Sequence, residues 1–267
     1  MADRTPEQLA LDVGRVFTPA VPVSDDDLFA GRIDEIRRLV DAINQRGQHA
    51  AIFGDRGVGK TSLANIISSK LKGTAPVIAP HATCNTTDDF ASLWRVVLSN
   101  IDLIEKKRTA GFQNLTLFEE TRSAAQVIGH DVSPDDLRRL FSLIGEGRIL
   151  IVVLDEFDRL SQPARRAIAD TIKTFSDHAV PATIIVVGVA ETIDELITEH
   201  ESIERVLVQV QMPRMQQAEL MEILNRGTSR LNMSIAEDAA RFVASLSQGL
   251  PHYTHLLGLH AARTALD

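Results

Sequence analysis

The chain has 267 residues, a formal net charge of −8 and 44% apolar residues. That length holds one large domain, or a domain with a small satellite. Aromatics make up only 4%, and the net charge is acidic. Together these argue against a surface built on base stacking and against a protein that coats nucleic acid along its length, while leaving room for a local basic groove. Cys84 is the single cysteine, so no intrachain disulfide forms and a reducing compartment is expected. No apolar signal segment opens the chain, and the longest apolar run, Ile149–Leu154, is far short of a membrane span. A soluble cytoplasmic protein without a membrane partner is the expectation.

In chain order, residues 1–27 read as an N-terminal arm, with a helix over Pro6–Val16 and an extended Pro-rich stretch at 18–22. Asp25–Asp27 could cap the next element. Apolar residues at 33, 36, 39, 40 and 43 predict a helix over Ile33–Arg46. His49–Phe53 reads as a short apolar strand running into a glycine-rich turn, with a helix over Lys60–Lys72 behind it. Pro76–Cys84 reads as a strand and Asp88–Ile104 as a helix capped by Thr87. Residues 105–131 show no clean period. Ser133-Pro134-Asp135-Asp136 is a capping box with Pro at the first helical position. Ile149–Leu154 and Thr183–Val187 are continuous apolar runs, the pattern of strands buried on both faces. A helix over Gln162–Ser176 lies between them. Strands alternating with helices predict a parallel α/β sheet with helices on both faces, here assigned to 28–213. From 214 to 267 only helices are readable: Ala218–Arg230, Ile235–Ser247 with Ser234 as its cap, and Pro251–Leu266.

Two segments carry chemistry. Gly54-Asp55-Arg56-Gly57-Val58-Gly59-Lys60-Thr61, with Ser62 beside it, fits G-x-x-x-x-G-K-[ST] between a strand and a helix. Such a loop curls so that its N–H groups face phosphate oxygens, and the helix start adds positive potential. Lys60 would reach the β- and γ-phosphates of ATP, and Thr61 would ligate Mg²⁺. The run Ile149–Leu154 ends in Asp155-Glu156, the form of a Walker B strand. Asp155 would hold Mg²⁺ through water and Glu156 would polarise the attacking water.

With these motifs in place the chain resembles an AAA+ ATPase over residues 28–267. Leu28-Phe29-Ala30-Gly31-Arg32 resembles the opening segment of initiator-type members, which implies that Phe29 and Arg32 lie near the adenine. Asp155-Glu156-Phe157-Asp158-Arg159-Leu160 resembles their D-E-x-D-x-L extension. Ile203-Glu204-Arg205 and Pro213–Leu220 resemble the arginine-finger segment and the start of the helical lid, and Gly249-Leu250-Pro251 the lid's G-x-P turn. The ORC-like initiators and the TniB/TnsC transposition regulators both fit, and Val187-Gly188 followed by Ile193–Leu196 and Ile203-Glu204-Arg205 leans toward the second; STAND signalling ATPases share the fold. The resemblance implies a homo-oligomeric ATPase acting on DNA or a DNA-bound partner, or alternatively a STAND-like switch with little steady turnover.

Two departures from the pattern stand out. A polar residue is expected at the end of the Thr183–Val187 strand, where Gly188, Val189 and Ala190 stand, and His252 takes the place of the lid's arginine. Both point to slow turnover. His252 could equally be a surface residue at a helix start, and Arg205 a surface ion-pair member rather than a finger. Lys106-Lys107-Arg108 reads as solvated surface, Trp94 as helix core, and His81 has no metal partner at ligand spacing.

Overall fold

The computed structural model describes residues 5–23, 30–72, 76–108, 117–128, 132–197 and 203–266. Asp25–Asp27 and Phe29 lie outside them.

The centre is a parallel sheet in the order β2-β6-β7-β1-β8, with β3 also on β6. Its strands are β1 (His49–Gly54), β2 (Val77–Ile78), β3 (His81–Thr83), β6 (Ile149–Asp155), β7 (Thr183–Val189) and β8 (Leu207–Gln211). Strand periodicity divides the core. Leu150, Val152 and Leu154 face one layer of helices, while Ile151 and Val153 face the other. Ile184 and Val186 alternate with Ile185 and Val187 in the same way. One layer holds α4 (Phe90–Ser99), α5 (Pro134–Ile144) and α6 (Gln162–Asp177), with Trp94, Phe141 and Phe175 in mutual ring contact. The other holds α2 (Ile33–Asn44) and α3 (Lys60–Lys72). Trp94 is fully buried, as its helical spacing predicts. The α/β architecture expected from the alternating pattern is the one found.

Three local expectations are corrected. The helix predicted to reach Ile104 stops at Ser99, and Asp89, not Thr87, caps it through a reciprocal bond with Ser92. Leu103 and Ile104 instead enter an antiparallel hairpin of β4 (Asp102–Arg108) and β5 (Leu117–Ser123), opposite Arg122 and Thr121. Local helical spacing runs on past 99, but the strand's backbone bonds go to a partner strand 9 to 21 residues further on, a pairing that local periodicity does not record. The strand expected over Pro76–Cys84 is split into β2 and β3. The last helices begin as predicted to within two residues, but Ala236 rather than Ser234 is the cap of α9 (Glu237–Leu246).

Helices α8 (Gln217–Arg230), α9 and α10 (Pro251–Thr264) bundle beyond the sheet. The N-terminal helix α1 (Pro6–Val16), capped by a Thr5/Gln8 box, joins them. The segment read as an arm is therefore anchored. Phe17 is buried against α8 and α10, where a Cβ on Gly227 or Gly258 would come within 2.5 and 2.7 Å of its ring. After Phe17 the chain turns onto the bundle, and the Thr18 N–H donates to Nδ1 of the buried His255 at 3.3 Å.

His49 is likewise buried, at the start of β1, and its Nδ1 accepts the Ile184 N–H at 2.9 Å. Burial pushes both imidazoles down to about 4, helped at His255 by the nearby His252. Each ring is neutral in the fold and would take a proton in the unfolded chain near its usual ~6.5. The unfolded state thus binds more protons between those values. Stability is complete above about pH 6.5 and falls as the pH drops toward 4. Chemical denaturation at pH 7 and pH 5 should differ by about 2 kcal/mol for each histidine. His49→Asn keeps an acceptor and should remove that residue's share of the slope.

Candidate functional site

The phosphate loop connects β1 to α3 at the carboxyl edge of the sheet. Its geometry requires glycine at the strand end: Gly54 has φ 145°, and a Cβ there would lie 2.4 Å from the Met212 carbonyl of the neighbouring β8 segment. Gly59, at φ 96°, turns the loop into the helix. Lys60 is buried and folds back over the loop, where Nζ donates to the carbonyls of Gly54 at 3.0 Å and Asp55 at 2.8 Å. Burial lowers its pKa, and the charges of Asp158, Asp155 and Asp55 oppose that shift.

Thr61, one residue on, donates from Oγ1 to Asp155 Oδ2 at 2.7 Å. This contact joins the first turn of α3 to the end of β6. The other Asp155 oxygen accepts the Glu156 N–H at 2.8 Å, and His81 Nε2 stands 3.5 Å from Oδ2. Burial alone would raise the Asp155 pKa. The contacts from His81, Thr61 and the Glu156 amide outweigh it and hold the carboxyl below the usual range. A hydroxyl and an ionised carboxylate side by side suit a hard divalent cation that keeps water and phosphate oxygens in its remaining positions.

Glu156 has left-handed backbone, φ 52°, which turns its side chain out of the strand line. Its carboxylate meets the Arg159 guanidinium at 2.5 Å, both groups about half exposed. Asp158, on the single 3₁₀ turn after Glu156, accepts the Val189 N–H at 2.8 Å. It thereby fills the strand end where the sequence offers only Gly188, Val189 and Ala190.

These groups line a cleft of about 1020 Å³. Residues 18–23 form its cover. Val23 N–H donates to Ser62 Oγ at 3.1 Å, and the His252 Nδ1–H donates to the Pro19 carbonyl at 2.7 Å. His252 thus sits at the start of α10, beside Gly57, with its ring nitrogen committed to the cover. Arg32 also lines the cleft, is buried, donates to the carbonyls of Val58 in the loop and Pro213 after β8, and pairs with Glu35. Arg56, Gly57, Val58 and Gly59 line the cleft. Asp55 instead turns toward Arg214, at 2.9 Å. Arg205 is exposed, in the turn before β8, away from the cleft lining. Reading along the chain misses His81 and Arg159 as members of the site. His81 has no ligand-spaced neighbour because its partner lies 74 positions on, whereas Arg159, three residues after Glu156, is a readable pair.

A parallel sheet with this loop, this strand-end acid and a helical bundle beyond defines a P-loop NTPase of AAA+ fold. The sequence profile of the family described as Novel STAND NTPase 1 matches residues 20–257, and the chain belongs to that family. No curated protein matches it. Among solved structures it is similar to the Walker-type ATPase PABY2304 of Pyrococcus abyssi, with TM-score 0.68 and 17% identity over 94% of this chain and 72% of that one. It is similar to the Aeropyrum pernix Orc1 protein solved in complex with DNA, with TM-score 0.62 and 17% identity over 94% and 63%. It is also similar to a point variant of Thermotoga maritima RuvB, with TM-score 0.53 and 19% identity over 89% and 63%. At these identities the likeness concerns the fold, and the chain spans less than two thirds of the Orc1 and RuvB chains. Among the described residues no helix is long and apolar enough to cross a membrane.

If the loop cradles phosphate, Lys60→Ala removes a charge-assisted bond worth ~1.5–3 kcal/mol. Calorimetry with ATP and Mg²⁺ should then show a dissociation constant raised by about tenfold or more. Unchanged affinity would put the phosphate site elsewhere.

Proposed function

We propose that this protein is an ATP-dependent switch that binds ATP with Mg²⁺ through Gly54–Ser62 and Asp155 and hydrolyses it slowly with Glu156. The observation that carries this is the 2.7 Å contact between Thr61 and Asp155 directly beneath the Lys60 loop. Mg²⁺ held there would neutralise charge on the β- and γ-phosphate oxygens. Lys60 would exchange its two loop carbonyls for phosphate oxygens, at little cost in geometry, because the ammonium is already inside the loop. Glu156 would accept the proton of the attacking water. It first has to leave Arg159, which fits slow basal turnover. By the initiator resemblance Arg32, which lines the cleft, and Phe29 would border the base. His252 borders the loop from the bundle side, where nucleotide state can be passed to helices α8–α10.

The chain's STAND family favours the switch over a continuously turning motor. A homo-oligomeric regulator acting on DNA or a DNA-bound protein, as in the initiator and transposition-regulator resemblance, uses the same site. Orc1, solved in complex with DNA, supports keeping it as the second reading. ATPase activity stimulated by DNA would favour it; indifference to DNA favours the switch. The protein would act in the cytoplasm.

Glu156→Gln keeps the side chain's size but removes the base. ATP should remain bound while turnover falls by about a hundredfold, within the usual range for a lost general base. Turnover at the parent rate would assign water activation to another group.

Arg205 is exposed on the turn before β8 and, in the second reading, would reach the nucleotide of a neighbouring copy. Arg205→Ala should leave ATP affinity unchanged and lower turnover by at least about tenfold, a floor set well under the ~10³–10⁵ that such a finger contributes. Mixing it with Glu156→Gln should restore activity, because some interfaces then carry both intact groups. No recovery in proven co-assemblies would return Arg205 to a surface ion pair.

A further inference from the structure

Among the charged groups that line the cleft is an acid, Asp158, to which the phosphate site gives no part. Asp158 stands at the carboxyl end of β7 and faces the cleft with Lys60. Its position is fixed twice. Oδ1 accepts the Val189 N–H at 2.8 Å, and the backbone is held by Arg165, whose guanidinium donates to the carbonyls of Asp158, Leu160 and Glu195. Gly188 leaves the space it needs, since a Cβ there would approach Asp158 Oδ1 to 3.0 Å and Leu196 more closely still. The nearest cation in sequence, Arg159, is spent on Glu156. Of the acids acting on Lys60, Asp158 acts most strongly, ahead of the magnesium-site Asp155.

In a loop of this kind the lysine bridges the last two phosphates of a triphosphate. A terminal phosphate beside Lys60 would therefore enter the field of a carboxylate that is anchored by a main-chain amide and by the grip of Arg165 on its backbone, and so is not free to swing away. In a cleft lined partly by buried groups two such anions are poorly screened. A diphosphate ends one group earlier and meets less of that field.

We propose that Asp158 is a specificity-determining residue that disfavours the third phosphate, biasing the cleft toward a nucleoside diphosphate over the triphosphate. This rests on reading the cleft as the nucleotide site. The same carboxylate accepts the Val189 N–H at the end of β7, where the chain itself offers only Gly188, Val189 and Ala190.

The test is calorimetric titration of the full chain, with Mg²⁺, using ADP and ATPγS. Asp158→Asn retains an acceptor for Val189 N–H while removing the charge; Asp158→Ser is the second variant, and thermal melts verify that each is folded. The expected result is that ATPγS binds about tenfold tighter to Asp158→Asn while ADP changes by less than about twofold, the scale of one unit charge about 12 Å away at an effective dielectric of about 20. Asp158→Ser should move the ratio the same way. An unmoved ratio in both variants, or equal tightening of both ligands, overturns the inference. Weaker ATPγS binding overturns it too and makes Asp158 a partner of the metal. If the parent chain binds neither nucleotide, the reading of the cleft itself fails.

Discussion

The hydrogen bond from Thr61 to Asp155 ties together two strands that are not neighbours. β1 carries the loop and β6 carries the acid, with β7 between them. The two groups meet because every strand in the sheet points the same way, so each one delivers its following loop to a single edge. The loop's glycines, Lys60, the Glu156 turn and Asp158 all depend on that edge. Removing the parallel arrangement would scatter them over opposite faces of the molecule.

What covers the edge comes from the two ends of the chain. Phe17 sits in a notch made by Gly227 on α8 and Gly258 on α10, which places residues 18–23 across the cleft. Two histidines of α10 then hold that stretch by its main chain, His255 as a neutral acceptor and His252 as a donor. Helix bundle, cover and loop are thus mechanically joined. His252 ties the start of α10 to the cover, and Arg32 ties the loop to the connection between β8 and α8 through the carbonyls of Val58 and Pro213.

The electrostatics of the cleft are finely divided. One ammonium, Lys60, is set among Asp55, Asp155 and Asp158. Asp55 is drawn outward by Arg214 and Glu156 is paired with Arg159, while Asp158 and Asp155 act most strongly on Lys60 among the acids. Exposed pairs such as these contribute little to stability. Their consequence is where negative charge stands when phosphate arrives.

Much of this was legible along the chain. The G-x-x-x-x-G-K-[ST] spacing, the apolar run ending in Asp155-Glu156, and the helices after 213 are local patterns, set by backbone demands and hydrophobic period. They determined the fold class and the loop and strand-end acid of the candidate site. What the sequence did not reveal depends on distant partners. The hairpin at 102–123 was hidden because strand pairing is a relation between segments. Phe17 reads as part of a loose arm until α8 and α10 surround it. His81 has no partner within reach along the chain, and Asp158 is legible only as the second acid of the D-E-x-D-x-L extension. Only the tertiary structure sets it against Val189 and Lys60, because side-chain meaning at a sheet edge comes from which strand ends are brought side by side.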